Sequence, residues 1–411
     1  MDLRTLEEQL FGVRFDIHQA DGQVLRLGHD GPVVNWHIHS GTTLHRLLKK
    51  PQCTLGSSYV RGDWDIDTRH LSTLIQTLIP ANTSPGFLHR RSFLRRLRTH
   101  LPHVCQEASQ PRWRDFSLWL SRTCLGDEIF QGCSHYSEPG MSLEEAQRVR
   151  ARHLIARLQL GPELHLLDLD AGWGALPLHL AEHAGVRVTA LVSNREQLRF
   201  AHGEARRRGL DGSVHFRLGG FYQCRGRFDR ILGSGFLEHH PEPAYRVLFE
   251  RLETLLQDDG MIWLQVRGRS GETPLSNRWH QQQLPTRHSL PLLSDINSAV
   301  EQTALRALLT EDLSGYLLRD LESQAQRYHG RRAAISQRFG ETWTRQWEFL
   351  LASEIAALRW GQLRQYELLL GNSHCRWPAS DPDRSDDGAR LPLDIARKIP
   401  GLARDVYPSR P

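Results

Sequence analysis

The chain has 411 residues, of which 52 are lysine or arginine and 47 are aspartate or glutamate, giving a formal net charge of +5 at pH 7. This length is too great for one ordinary hydrophobic core and suits two domains and a tail. No run of 18 apolar residues occurs, residues 1–9 are charged and unlike a signal peptide, and the six cysteines lack CxxC spacing. The chain therefore does not belong to the membrane-spanning or disulfide-rich classes. We expect a cytoplasmic protein with reduced thiols and predict no metal ligands.

Residues 1–85 are predicted to form a small α/β domain. Short runs that suit strands lie near residues 15–17, 23–27 and 33–38.

Residues 86–135 are predicted to be a basic amphipathic connector. Five arginines at residues 89–98 are interleaved with apolar residues at helical spacing, among them Phe93, Leu94 and Leu97. Such a segment suits an anionic membrane surface, where each basic residue contributes ~1 kcal/mol. A solvated interdomain linker is the alternative interpretation. Nucleic-acid binding is not predicted, because no recognition motif accompanies the arginines.

The most informative motif runs Asp-Leu-Asp-Ala-Gly-Trp-Gly at residues 168–174. It follows a short apolar run at residues 164–167 and precedes a helical pattern at residues 175–183. A buried strand, a glycine-bearing turn and a helix N-terminus form the entry to a nucleotide-type pocket. The turn needs glycine because a backbone without Cβ atoms lets a ligand approach closely.

The residues beyond this motif alternate between predicted strands and helices. Further strands are predicted at 186–192, 214–218, 228–232 and 261–266. Helices are predicted at 196–208 and 248–256, with a turn at 258–260. This alternation indicates a parallel sheet whose ligand site lies at the carboxyl ends of the strands. The domain is predicted to span residues 136–372, with a loop-rich insertion at 267–321 covering its pocket and a mostly disordered tail at 373–411.

Several of these motifs resemble one family, the cyclopropane-fatty-acyl-phospholipid synthases and mycolic acid cyclopropane synthases. The motif at 168–174 resembles the family's S-adenosylmethionine loop, and residues 228–239 resemble its fourth-strand signature. Residues 142–147 are similar to the helix before its nucleotide domain, residues 55–65 to its lipid-binding domain, and residues 338–347 to its C-terminal helices. The resemblance implies a Rossmann-like class I methyltransferase domain with a small N-terminal α/β lipid-binding domain.

The family's chemistry is implied with the fold. A lipid alkene attacks the sulfonium methyl of S-adenosylmethionine, and bound bicarbonate removes a proton so that a cyclopropane ring closes. The resemblance implies membrane phospholipid as the partner and makes a homodimer plausible. It also implies that Asp168, Asp170, Gly172, Trp173, Gly174 and Gln197 hold the cofactor.

The implied bicarbonate ligands match only partly. The family's cysteine falls on Ser134, with Cys133 one place earlier, whereas its glutamate is kept as Glu238. Its histidine falls on Gln265, and its tyrosine falls on Leu317, next to Tyr316. We take Glu238, Gln265, Ser134, Cys133 and Tyr316 as the candidate catalytic residues. The alternative is structural: Cys133 as a small buried apolar residue, and Tyr316 as part of an amphipathic helix.

The implied cofactor site also departs from the family pattern. Asp170 stands where the family has a loop glycine, and Gly220 stands where an acidic residue would receive the adenine amino group. Loss of that acceptor removes ~1 to 3 kcal/mol of binding free energy, the scale of a hydrogen bond to a buried donor. Asp170 can instead pair with the ammonium or sulfonium of the cofactor.

Two functions follow from these matches and departures. The first is an S-adenosylmethionine-dependent enzyme that modifies membrane lipid from the inner face of the membrane, by cyclopropanation or simple methylation. The second is a catalytically impaired paralogue that binds lipid or regulates a partner. The enzyme is favoured by the retained residues Gly172, Trp173, Gly174 and Glu238. The paralogue is favoured by the changed residues Asp170, Gly220, Ser134 and Gln265.

Overall fold

The computed structural model describes residues 13–29, 31–49, 51–79, 111–271, 279 and 290–375, with backbone alone at 111–117. The chain divides into two compact units. The first unit comprises Met1–Cys124, Arg267–Leu293 and Leu321–Arg364, and the second comprises Leu125–Val266, Ser294–Asp320 and Gln365–Pro411. The predicted basic segment at 89–98, most of the tail, and residues 272–278 and 280–289 of the predicted lid lie outside the described residues.

The first unit contains a four-stranded sheet in the order β2-β1-β3-β4. Its strands are β1 (Arg14–His18), β2 (Val24–Leu27), β3 (Val33–Ile38) and β4 (Trp64–Ile66). β1 pairs antiparallel with β2 and parallel with β3, which in turn pairs antiparallel with β4. Side chains alternate between exposed and buried along β3, so one face of the sheet is apolar. The three strands predicted for the N-terminal α/β domain are confirmed.

Helices from both ends of the chain complete the first unit. They are α1 (Thr43–Lys49), α2 (Pro51–Arg61), α3 (Leu71–Leu78) and α4 (Pro111–Leu125), followed after the second unit's elements by α11 (Arg332–Phe339) and α12 (Glu341–Arg359). Phe349 of α12 shares one apolar core with Trp36 and Trp64 of the sheet. Arg345 of α12 is buried and donates to the carbonyls of Tyr59 at 2.6 Å and Trp64 at 2.8 Å. The late helices were predicted within one continuous domain at 136–372. They pack instead on the N-terminal sheet, because their apolar faces bury its aromatic residues.

The second unit is built on a seven-stranded sheet in the order β10-β11-β9-β8-β5-β6-β7. Its strands are β5 (His165–Asp168), β6 (Arg187–Val192), β7 (Val214–Leu218), β8 (Phe228–Ser234), β9 (Leu256–Arg269), β10 (Arg306–Asp312) and β11 (Leu363–Gly371). Its helices are α5 (Leu143–Arg157), α6 (Ala175–Ala184), α7 (Arg195–Arg207), α8 (Tyr245–Leu255), α9 (Leu293–Val300) and the beginning of α10 (Ser314–Gly330). β9, β8, β5, β6 and β7 are mutually parallel, which confirms the predicted α/β fold class.

Two local predictions differ from the structure. The turn predicted at 258–260 lies within β9, where the pairing with β8 skips from Leu256 to Met261. The insertion predicted as a loop-rich lid contributes β10, which pairs antiparallel with β11. That pairing satisfies backbone hydrogen bonds at the edge of the sheet that a loop would leave open. Within the described residues, no helix combines the length and apolarity needed to cross a membrane.

Candidate active site

The glycine-bearing loop leaves the carboxyl end of β5 and leads into α6. Asp168, the last residue of β5, accepts a hydrogen bond from the backbone N–H of Asp170 at 3.1 Å. Burial raises the pKa of Asp168 to about 7 and also raises the pKa of Asp170, whereas His239 lowers the latter. Two desolvated carboxyl groups in one loop favour a cationic ligand, because a positive charge offsets the cost of ionising them.

Within this loop, Gly172 leaves the least room for an added side chain. Its backbone has a φ of +53°, and a Cβ atom added there would lie 2.3 Å from Oε1 of Gln131. The cleft beside it is lined by residues from the ends of β5 and β8 and from the loop before α5, among them Ile129, Gln131, Asp168, Asp170, Ala171 and Ser234. The predicted ligand edge of the parallel sheet thus holds a small cleft.

The other predicted cofactor residues support the loop. Trp173 is buried and packs edge-on against Phe200, with ring centroids 5.5 Å apart. Gly174 is the N-cap residue of α6. Oε1 of Gln197 accepts the backbone N–H of Ser193 at 3.1 Å, which shapes the loop after β6.

Gln265 and Cys133 are held together by a reciprocal pair of hydrogen bonds. Gln265 lies on β9 and is 1% exposed. Its Oε1 accepts the Cys133 N–H at 2.9 Å, and its Nε2 donates to the Cys133 carbonyl at 3.0 Å. Gln265 therefore binds the backbone of the loop that carries Cys133 and Ser134, in addition to any ligand it contacts.

Ser134 lies next to a residue that the sequence analysis missed. Its backbone N–H donates to Oδ2 of Asp320 at 2.7 Å, and the Tyr136 hydroxyl donates to Oδ1 of the same carboxylate at 2.7 Å. Asp320 lies on α10 and is 1% exposed. The sequence does carry one signal for Asp320. It lies one turn after Tyr316 on an amphipathic helix, and a carboxylate on the buried face of a helix requires hydrogen-bond donors.

Tyr316 lies beside the same loop. Its ring centroid is 5.0 Å from that of His135 and 5.8 Å from that of Tyr136. Among the described residues its hydroxyl has no hydrogen-bond partner, although the oxygen is buried. Burial raises the pKa of Tyr316 and lowers the pKa of His135 to about 3, so both side chains are neutral at pH 7.

Arg150 on α5 is a second residue that the sequence analysis missed. It is 3% exposed and donates to the Gln131 carbonyl at 2.5 Å and to Oγ of Ser234 at 3.4 Å. It therefore joins the loop before α5 to the end of β8. The signal was an arginine on the helix face that also carries Ala146, Gln147, Ala151 and Leu154, all of which are buried.

Glu238 lies in a short 3-10 helix, Leu237–His239, which follows β8 at the same edge of the sheet as the glycine-bearing loop. The structure thus brings the candidate residues to one end of the second unit. Their roles in catalysis stay predictions.

Comparison with known proteins identifies the family. A family model described as mycolic acid cyclopropane synthetase matches residues 110–367, more than half of the chain. The chain belongs to this family. The recognition made from the sequence motifs is thereby confirmed, and S-adenosylmethionine is the cofactor of the methyltransferase class to which the family belongs.

Individual relatives of the cyclopropane synthetase family agree with this assignment. Cyclopropane mycolic acid synthase 2 of Mycobacterium leprae is 31% identical over 36% of this chain and 50% of its own length. The cyclopropane-fatty-acyl-phospholipid synthase of Escherichia coli K12 is 26% identical over 62% of this chain and 66% of its own length. The chain thus spans about half to about two thirds of these relatives.

A solved structure confirms the fold of this family member. Mycolic acid cyclopropane synthase CmaA1, complexed with SAH and CTAB, superposes with a TM-score of 0.59 at 19% identity. The match covers 63% of this chain and 95% of that one. The Rossmann-like fold class predicted from the sequence is therefore confirmed.

The buried Asp320 gives the stability of this synthetase-family chain a specific pH dependence. Burial raises the pKa of Asp320 to about 6. Between pH 4 and 6 the folded chain keeps a proton that the unfolded chain releases, so the free energy of unfolding falls as pH rises through this window. The fall is roughly 3 kcal/mol in all. We expect Asp320→Asn to remove this component, because asparagine does not titrate.

Urea titrations of both proteins at pH 4.5 and 7.5 measure the effect. The stability of wild type relative to Asp320→Asn should be higher at pH 4.5. An identical pH dependence of the two proteins would show that Asp320 keeps an ordinary pKa.

Proposed function

We propose that the chain is an S-adenosylmethionine-dependent transferase that adds a one-carbon unit to unsaturated acyl chains of membrane phospholipids. The observation that carries the proposal is the cleft at the ends of β5 and β8, where the glycine-bearing loop follows β5 and Asp168 and Asp170 supply carboxyl groups. A sulfonium and an ammonium are cations, so this donor set suits S-adenosylmethionine. The family assignment points to the same cofactor.

The chain's own residues have separable roles in this proposal. Asp168 holds the loop through the Asp170 N–H, and Asp170 attracts the positive charge of the cofactor. Trp173 packs behind the loop and Gln197 shapes the neighbouring one. When bound, the cofactor supplies an electrophilic methyl group on its sulfonium. Catalysis then consists mainly of orienting the acyl chain toward that methyl and excluding water.

The lipid substrate is supported by the relatives and by the sequence. Relatives are named for mycolic acids, for fatty-acyl phospholipids and for a sphingolipid. Residues 55–65 resemble the signature of the family's lipid-binding domain, and the basic segment at 89–98 suits an anionic lipid surface. We therefore propose a peripheral position at the inner face of the membrane, with cyclopropanation as the reaction and methylation as its variant.

The second candidate function is a catalytically impaired paralogue. It is supported by Gln265 and Ser134, two predicted catalytic residues that are engaged in hydrogen bonds inside the chain. Relatives named as synthases and methyltransferases favour the enzyme.

Calorimetric titration with S-adenosylmethionine, with and without anionic phospholipid vesicles, tests the proposal first. We expect micromolar binding, followed by products with added mass of one CH₂ when unsaturated phospholipid is supplied. Glu238→Gln should bind the cofactor as wild type does while slowing turnover. Absence of binding heat in a chain that still binds vesicles would favour the paralogue, and unchanged turnover in Glu238→Gln would remove that residue from the mechanism.

A further inference from the structure

The Asp320 carboxylate receives two short hydrogen bonds from the loop at 133–136. Ser134 donates its backbone N–H to Oδ2, and Tyr136 donates its hydroxyl to Oδ1, each at 2.7 Å. A carboxylate only accepts hydrogen bonds, so these two donors match its two oxygens. Within the described residues Asp320 forms no salt bridge. The ionised carboxylate is thus hydrogen-bonded by two neutral donors, in the way that a protein holds a small bound anion, and the charge of the buried Arg150 also lowers its pKa.

We name the Ser134 N–H and the Tyr136 hydroxyl the anion seat. Arg319, the residue before Asp320 on α10, holds the Tyr136 side chain of the anion seat in place. Its guanidinium carbon lies 3.8 Å from the centroid of the Tyr136 ring. Arg319 also donates to the Pro139 carbonyl at 2.8 Å. Two consecutive residues of one helix therefore set the seat: Arg319 orients Tyr136, and Asp320 accepts its hydroxyl.

Two of the residues that the family resemblance implies as bicarbonate ligands are already hydrogen-bonded to other groups of this chain. Ser134, which aligns with the family's cysteine, already donates its N–H to Asp320. Gln265, which aligns with the family's histidine, is bonded at both ends of its amide to the backbone of Cys133. A second anion hydrogen-bonded to the Ser134 N–H would lie against the Asp320 carboxylate, and two negative charges together in a buried place are unfavourable, although the buried Arg150 offsets part of that cost. Bicarbonate therefore does not fit at the Ser134 N–H and the Gln265 amide as the structure has them.

We propose that Asp320 is a built-in carboxylate that occupies the anion seat, so that this chain works without bound bicarbonate. The part of this proposal that concerns bicarbonate in the reaction rests on the proposed function. The occupation of the seat is a property of the folded chain alone. Burial raises the pKa of Asp320 to about 6, so the side chain is mainly an anion above neutral pH.

Anion binding by the full-length chain tests this proposal without substrate or cofactor. Asp320→Ala empties the seat, and the double variant Asp320→Ala/Tyr136→Phe removes one of its donors as the matched control. Sodium formate and ¹³C-labelled bicarbonate are the probes, with sodium chloride at equal ionic strength as the blank. Thermal midpoints and ¹³C line widths report binding.

We expect Asp320→Ala to bind formate roughly tenfold or more tighter than wild type or the double variant, the scale of one hydrogen bond to a charged group. Its thermal midpoint should rise with formate and not with chloride. Equal responses of Asp320→Ala and wild type to formate would overturn the proposal.

Wild type and the single variant Tyr136→Phe decide the question if Asp320→Ala does not fold. Wild type should show no saturable bicarbonate binding. Saturable binding to wild type that Tyr136→Phe abolishes would show an open seat and overturn the proposal. Because neither measurement uses S-adenosylmethionine or lipid, these outcomes are distinct from a failure of the proposed enzymatic function.

Discussion

Gly132→Ala is expected to destabilise the chain by roughly 2 to 5 kcal/mol. Gly132 has a φ of +100°, and a Cβ there would lie 2.3 Å from Oγ of Ser234, 2.7 Å from Oε1 of Gln265 and 2.8 Å from Nη2 of Arg150. The left-handed backbone costs about 1 to 2 kcal/mol in alanine. Displacing buried hydrogen-bonding atoms adds ~1 to 3 kcal/mol, because these groups lose partners that they cannot replace. Urea titration of the purified variant measures the loss.

Gly226→Ala is the matched control for Gly132→Ala. Gly226 has a φ of +98°, and nothing lies within 4 Å of an added Cβ. Its substitution therefore carries the backbone cost alone, about 1 to 2 kcal/mol. If the two variants lose the same free energy, the side chains of Ser234, Gln265 and Arg150 move aside without cost when a Cβ is added at Gly132.

The fold was predictable because its signals are local. Apolar runs at strand spacing and the glycine-bearing motif gave the five parallel strands and the ligand edge of the sheet, and the structure has them within a few residues. The placement of α12 was not predictable in this way. The apolar face of α12 could pack in any core of suitable shape. In the structure it packs against the aromatic residues of the N-terminal sheet, such as Trp36 and Trp64.

The candidate site was predictable only in its glycine-bearing loop. Asp320 and Ser134 are 186 positions apart in sequence, and no local pattern links a helix carboxylate to a loop N–H. Gln265 was predicted as an anion ligand by position, but the structure shows that its amide completes the hydrogen bonding of Cys133. Side chains that serve another segment's backbone leave no sequence periodicity, so a model of three-dimensional contacts is needed to find them.

These contacts also separate two chemical regions at the same edge of the sheet. The region around Asp168 and Asp170 carries two buried acidic groups, whose pKa values burial raises, and suits a cation. The region around Ser134 and Tyr136 carries hydrogen-bond donors and already holds an anion, Asp320. Arg150 lies between the loop before α5 and the end of β8, and its positive charge lowers the pKa of both Asp168 and Asp320. A single buried cation thus stabilises the ionised form of both regions.

Gly172→Ala is expected to weaken binding of S-adenosylmethionine roughly 100-fold while costing only about 1 to 2 kcal/mol of stability. The added Cβ would lie 2.3 Å from the amide end of Gln131, which is exposed and can move. We expect the displaced amide to enter the cleft that Gln131 lines and to block the approach to the loop. Calorimetric titration of the variant measures the loss of affinity.

Two further variants isolate the cause of that loss. Gly209→Ala carries a similar backbone cost, because Gly209 has a φ of +68° and open space around an added Cβ, and it should leave cofactor affinity unchanged. Gly172→Ala/Gln131→Ala removes the displaced amide and should recover much of the affinity, which gives a coupling between the two positions. Affinity in Gly172→Ala equal to that of wild type would mean that the cofactor does not approach this loop, and the cleft at the ends of β5 and β8 would lose its proposed role. Recovery in the double variant would instead place Gln131 at the mouth of the cofactor cleft, as the residue whose position decides whether the loop is open.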